Sequence, residues 1–241
     1  MISYWLYPYK TERVAYDLLS PVIDYVIELR SDLKKEKYSD YQPSAGEIWG
    51  IDISHHQRGI RWSQFDNMRP HFVFLKATQG ASHIDSRYER YISEIDELDI
   101  PVGSYHFFEY DDDGEDQARH FLEIAKIRKG DLPPVLDVEE YKRMASSKWI
   151  AKNVNRFLEY VEEKTGVRPI LYCTCSYYNR YLEGKLDKNY ILWIADYSGQ
   201  PNCKFTFWQR SDSFKHDAFR GRVDLNYFSG DKMELESLRI D

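Results

Sequence analysis

From Glu47 onward the chain repeats one pattern eight times: a short apolar run followed by a segment of different character. The runs are IWGIDI at 48–53, HFVFLKAT at 71–78, IPVGSYHFF at 100–108, PPVLDVE at 133–139, RPILYCT at 168–174, YILWIAD at 190–196, FTFWQR at 205–210 and RVDLNYF at 222–228. Apolar runs of this length, bounded by turn residues, read as strands. Helical periodicity fills the first gaps, at 85–98, 115–127 and 146–164, while the last three gaps are short and poor in helix signal. Strands alternating with helices predict a parallel sheet. Eight of them within roughly 185 residues predict an α/β fold, a reduced β/α barrel with helices missing in its C-terminal part. No internal sequence repeat accompanies the pattern.

The preceding segment differs. Leu19, Val22, Ile23, Val26 and Ile27 recur at helical spacing, with Glu28, Arg30, Asp32 and Lys34 among the polar positions. This predicts an amphipathic helix over 11–37, ended by the linker YQPSAG at 41–46. The expected organisation is a helical segment and linker at 1–46 and a catalytic barrel at 47–241.

Nearly every run ends in a polar or ionisable residue: Asp52, Lys76, His106, Asp137 with Glu139, Asp196, Gln209 and Asp224. In a β/α barrel the C-terminal strand ends carry the chemistry. Several carboxylates converging there are costly unless they pair or serve. The Asp137-Val138-Glu139 triplet is central, because alternation along a strand turns Asp137 and Glu139 to one face and Val138 to the other. Their positions lie about 6.6 Å apart along the strand, close enough for one charge to raise the other's pKa. A protonated carboxyl beside a charged one is what glycoside hydrolysis needs. Of the crowded acids, Glu139 is expected to be the one raised, since its task requires a proton. Glu140 falls on the opposite face, as a solvated residue or a helix-side contact.

Composition narrows the alternatives. A net charge of −7 without a basic run argues against nucleic-acid binding. No stretch approaches the roughly 20 apolar residues of a membrane span, and the first residues, MISYWLYPYKTER, lack the apolar core of a signal peptide. Adjacent His55 and His56 diverge on an extended chain, so they read as loop hydrogen-bonding residues; neither metal nor cofactor is expected. The three cysteines, Cys173, Cys175 and Cys203, are odd in number, fit no zinc spacing and read as buried free thiols. Aromatic residues make up 16%, including 20 Tyr, and aromatic faces with polar tips suit sugar rings.

At these residues the chain resembles the family 25 glycoside hydrolases, the Chalaropsis-type lysozymes. The segments GIDISHHQ, FVFLKATQG, PVGSYHFF, LPPVLDVEE, PILYCTCSYYNRYL, LWIADY, FTFWQRSDS and GRVDLNYFSGD carry the resemblance, in family order, over about 47–231. It implies a flattened, irregular barrel that cuts the β-1,4 bond between N-acetylmuramic acid and N-acetylglucosamine in peptidoglycan. It implies Glu139 as catalytic acid, Asp137 as its partner, Asp52 and Asp224 completing an acidic cluster, and Tyr105, Tyr172, Trp193, Asp196 and Gln209 lining the sugar groove. It also implies retention of configuration, with the substrate's own N-acetyl oxygen as nucleophile. His55 and His56 stand where an aromatic or small residue is common, Arg61 replaces the Asp of an Asp-Trp pair, and Gln79 replaces a common Glu. These departures bear on the groove rim and leave the four acids intact. A monomer acting on the cell wall, outside the cell or in the periplasm, is expected. The competing readings are a chitinase-like hydrolase, whose pattern carries a further Asp where Val135 stands, and an inactive glycan-binding barrel.

Overall fold

The computed structural model describes residues 42–140 and 145–241; the helix expected over 11–37 lies outside them. Among the described residues nine strands follow in chain order: β1 (Trp49–Ile53), β2 (Phe72–Gln79), a two-residue β3 (His83–Ile84), β4 (Val102–Phe107), β5 (Val135–Asp137), β6 (Ile170–Thr174), β7 (Ile191–Ala195), β8 (Phe207–Phe214) and β9 (Val223–Phe228). Helices α1 (Tyr88–Asp96), α2 (Gly114–Ile124) and α3 (Ser147–Thr165) cover the first half. A helical turn, Cys175–Tyr177, runs into the π turn Tyr178–Leu182, and a final helix spans Lys232–Ser237. Helix ends follow local chemistry. The Asp113 and Ser146 side chains accept from the backbone N–H of Glu115 and Trp149, and Gly166, at φ 70°, ends α3 in the left-handed conformation.

Eight strands close the barrel in the order β1-β9-β8-β7-β6-β5-β4-β2, with β1 pairing β2 and β3 appended to β2. Apart from the two-residue β3, antiparallel to β2, the expected parallel sheet holds from β1 through β8, but β9 runs antiparallel to both β8 and β1. The segment 215–222 between β8 and β9 explains this: it is shorter than the roughly dozen residues that a parallel crossover needs.

Alternation along the strands makes two cores. Outward residues such as Ile51, Val73, Leu75, Leu136 and Leu171 pack beneath the helices with Ile92, Phe121, Val154 and Phe157. Inward residues Phe72, Phe74, Val135, Ile170, Phe207 and Phe228 fill the lower barrel. Two inward glycines make room for this plug. A Cβ on Gly50 would sit 2.5 Å from the Phe72 ring, and one on Gly103 would sit 2.6 Å from that of Phe74.

Candidate active site

Above the aromatic plug the inward side chains become polar. Asp52, Lys76, Tyr105, Phe107, Asp137, Glu139, Tyr172, Trp193, Tyr197, Gln209 and Asp224 line one cavity of about 230 Å³. A second hollow of about 810 Å³, lined by Glu140, Thr174, Ser176, Asn179, Asp196 and Ser198, shares Glu139, Tyr172 and Tyr197 with it. Together they form a groove across the C-terminal strand ends. The four sequence-predicted acids meet in the central cavity with Tyr105, Tyr172, Trp193 and Gln209, while Asp196 stands in the outer hollow. His106 does not reach the site. It faces the helices, hydrogen-bonded to Thr78 and Gln117 and packed on Phe121 and Phe157, and burial lowers its pKa to about 3.

Asp52 and Asp224 are register partners across β1 and β9. Asp52 Oδ2 accepts from Gln209 Nε2 at 2.9 Å and Asn226 Nδ2 at 2.8 Å. Burial raises the Asp52 pKa, and these donors, together with a hydrogen bond from Asp224, oppose the rise. Asp224 is raised well above the carboxylate range, first by burial and then by the Asp52 charge. Two carboxyls this close do not ionise independently, so they titrate as a pair. Gln209 Oε1 also accepts from Tyr172 (2.6 Å) and Tyr197 (2.7 Å), and Asn226 Oδ1 accepts from Trp193 Nε1 (2.8 Å). One amide on each side thus ties the acid to the aromatic wall.

Asp137 closes β5, and Glu139 stands two residues on, beyond the strand. The Tyr110 hydroxyl donates to the Glu139 backbone carbonyl at 2.6 Å and holds the chain there. Asp137 is buried, and its Oδ1 has no hydrogen-bond partner among the described residues. Its pKa is raised well above the usual range by burial, then by Glu139, with Lys76 opposing. Glu139 lies exposed at the cavity mouth, and its pKa is raised by burial of its carboxyl and by Asp52, again opposed by Lys76. Glu139 is raised as expected, but not alone: Asp137 beside it rises too, because burial desolvates both carboxyls.

Tyr197 and Asn226 were not singled out from the sequence. Asn226 was legible, because it lies two residues from Asp224 on the same face of β9. His55 and His56 sit at the rim. The His55 backbone N–H donates to buried Asp85 at 3.0 Å, and its Nδ1 lies 2.7 Å from the same carboxylate oxygen. His56 lines the cavity, and burial lowers its pKa.

The expectation of three free thiols is also corrected. Cys175 and Cys203 form a disulfide, Cα atoms 5.9 Å apart, and Cys173 alone is free and buried. Cys173 points outward from β6, whereas Cys175 lies past the strand end and Cys203 enters from the β7–β8 connection at the same end of the barrel. The bridge braces the wall of the outer hollow, which Cys175 lines.

Known proteins resemble this chain in sequence and in fold. The uncharacterized protein YegX of Escherichia coli O157:H7 is 32% identical over 241 residues, spanning 96% of this chain and 88% of YegX. Lysozyme M1 of Streptomyces globisporus is 29% identical over 211 residues, spanning 79% of this chain and 71% of that protein. The solved structure of a family 25 glycosyl hydrolase from Bacillus anthracis superposes with a TM-score of 0.75 at 28% identity, covering 83% of this chain and 97% of the other. The model of glycosyl hydrolases family 25 matches residues 51–219, from β1 to the approach to β9. With fold and sequence in agreement, the chain belongs to glycosyl hydrolase family 25 and is a glycoside hydrolase.

Proposed function

We propose that this enzyme is a muramidase that hydrolyses the β-1,4 bond between N-acetylmuramic acid and N-acetylglucosamine, with retention and with assistance from the substrate's acetamido group. The observation that carries the reading is the pairing of two unlike carboxyls in one cavity: Asp137, buried with an unpartnered Oδ1, and Glu139, exposed at the mouth. Glu139 donates its proton to the glycosidic oxygen as the bond to C1 breaks, and the leaving sugar departs along the outer hollow. Asp137 accepts the acetamido N–H, and the acetamido carbonyl oxygen attacks C1 to form a cyclic intermediate. Water then attacks C1 from the side vacated by the leaving group, the acetamido oxygen leaves, and Glu139 takes the water's proton. Asp52 and Asp224, titrating as a pair, hold negative charge near the developing cation. Tyr105, Tyr172 and Trp193 offer ring faces to the sugar, and Asp196 offers a carboxylate in the outer hollow. Lysozyme M1 and the autolytic lysozyme of Clostridium acetobutylicum, both relatives, support the choice of substrate. The disulfide fits an oxidising compartment, hence action at the cell wall outside the cytoplasm.

The test is release of reducing ends from purified cell walls, with chitin as the counter-substrate. Cleavage of chitin but not peptidoglycan would replace this reading with the chitinase-like one. Glu139→Gln keeps shape but removes the transferable proton, so turnover on cell walls should fall by about 10²–10⁴-fold. Retention of more than about a tenth of turnover would remove Glu139 from the role of acid. NMR of the first-formed product should show the β-anomer; the α-anomer at first appearance would contradict retention.

A further inference from the structure

The upper end of β2 departs from regular pairing. Against β4 the register steps from Lys76↔Tyr105 to Thr78↔His106, a bulge at Ala77. A bulge re-aims the side chains that follow it. Lys76 therefore faces the cavity, Thr78 faces outward to His106, and Gln79, opposite Phe107, comes back to the side of Lys76. Lys76 Nζ donates to Gln79 Oε1 at 2.7 Å and lies 4.7 Å from the Phe107 ring centre. Gln79 Nε2 in turn donates to Glu109 Oε1 at 2.6 Å. The amide is thus fixed in one orientation, its oxygen on the ammonium and its nitrogen on the carboxylate.

We propose that Gln79 is a positioning residue that sets the working pH of the Asp137–Glu139 pair. It anchors the Lys76 ammonium in the cavity through a neutral group, so that the cation's field falls on the two acids. A carboxylate at position 79 would compensate that charge at its source. Lys76 faces Asp137 and Glu139 from the end of β5, Asp85 from beyond β3 and Glu109 from beyond β4, and its charge is also felt by His56 and His106. Asp112 stands with Glu109 beside Gly80, close enough that a Cβ there would meet both at 2.9 Å. Among these groups Lys76 is the cation that opposes the rise of both Asp137 and Glu139. The proposal rests on the reading of Glu139 as general acid.

The experiment is Gln79→Glu, measured both as the pH profile of cell-wall cleavage and as the carboxyl ¹³C titration of Asp137 and Glu139. With Lys76 compensated, both acids should hold their protons to higher pH. Both limbs of the profile and both titrations should move upward by about one pH unit. Profiles and titrations that stay in place, whether turnover is kept or lost, would overturn the proposal. Should like-charge repulsion with Glu109 prevent folding, Gln79→Glu with Glu109→Gln carries the same test, and failure of both variants to fold would mark Gln79 as a packing residue and overturn it. If the wild-type enzyme released no reducing ends from cell walls, the functional reading would fall, and the titration would still decide the effect of Gln79 on the pair.

Discussion

The lower and upper ends of the barrel interior are built by the same strands and differ by one inward step. Along β1 the inward residue changes from Gly50 to Asp52, along β2 from Phe74 to Lys76, along β5 from Val135 to Asp137, along β6 from Ile170 to Tyr172 and along β8 from Phe207 to Gln209. On antiparallel β9 the order is reversed, from Phe228 back through Asn226 to Asp224. Below the step, rings interlock: Phe74 stacks on Trp193 with centroids 4.2 Å apart and meets Phe207 edge-on at 5.2 Å. Above it, carboxyls crowd until burial and mutual repulsion raise their pKa values. The plug contributes stability, whereas the polar layer costs stability and supplies reactive groups. Trp193 belongs to both, as the ceiling of one and the floor of the other.

Variants on either side of the step should therefore behave oppositely. The largest expected effect lies above it, in the loss of turnover of Glu139→Gln with the fold kept. Below it, Phe74→Ala should cost about 3–5 kcal/mol of stability, read from denaturant unfolding. A loss under about 1 kcal/mol would mean that the plug is not the close-packed element described. At the rim, Cys203→Ser should lower stability by about 2–4 kcal/mol and raise KM more than it lowers kcat, since the bridge braces the outer hollow rather than the acids. Thiol titration of the unreduced protein should find one cysteine free, and three free thiols would remove the bridge from the account. The smallest change, Asp137→Asn, has the opposite sign in stability.

The barrel was legible because strand alternation and helix periodicity are local signals, and each of the eight strongest apolar runs contains or overlaps a strand. Acids at strand ends were legible for the same reason: a polar residue that closes an apolar run stands where the strand leaves the core. What the sequence hid depends on contacts between distant segments. The direction of β9 follows from the brevity of 215–222 and from closure onto β1. The disulfide joins Cys175 and Cys203, which share no local signature and meet only because two connections emerge at the same end. Tyr197 lies just past β7 and enters the site through Gln209 on β8. The bulge at Ala77, which brings Gln79 to Lys76, leaves no mark in a chain that reads as an uninterrupted strand.

The central claim, that the polar layer is kept at the expense of stability, is tested most directly by melting wild type and Asp137→Asn from pH 3 to pH 7. With its folded pKa raised, Asp137 binds a proton more tightly in the folded chain than in the unfolded one. Its contribution to stability is complete below the unfolded pKa, about 4, and is lost as pH rises toward the folded value. Asparagine carries no such penalty. The variant should melt about 2–5 °C above wild type at pH 7, with the advantage vanishing near pH 3, while cleaving cell walls far more slowly. A variant that melts below wild type at pH 7 would show that the Asp137 carboxylate is held by favourable partners, and would contradict the account.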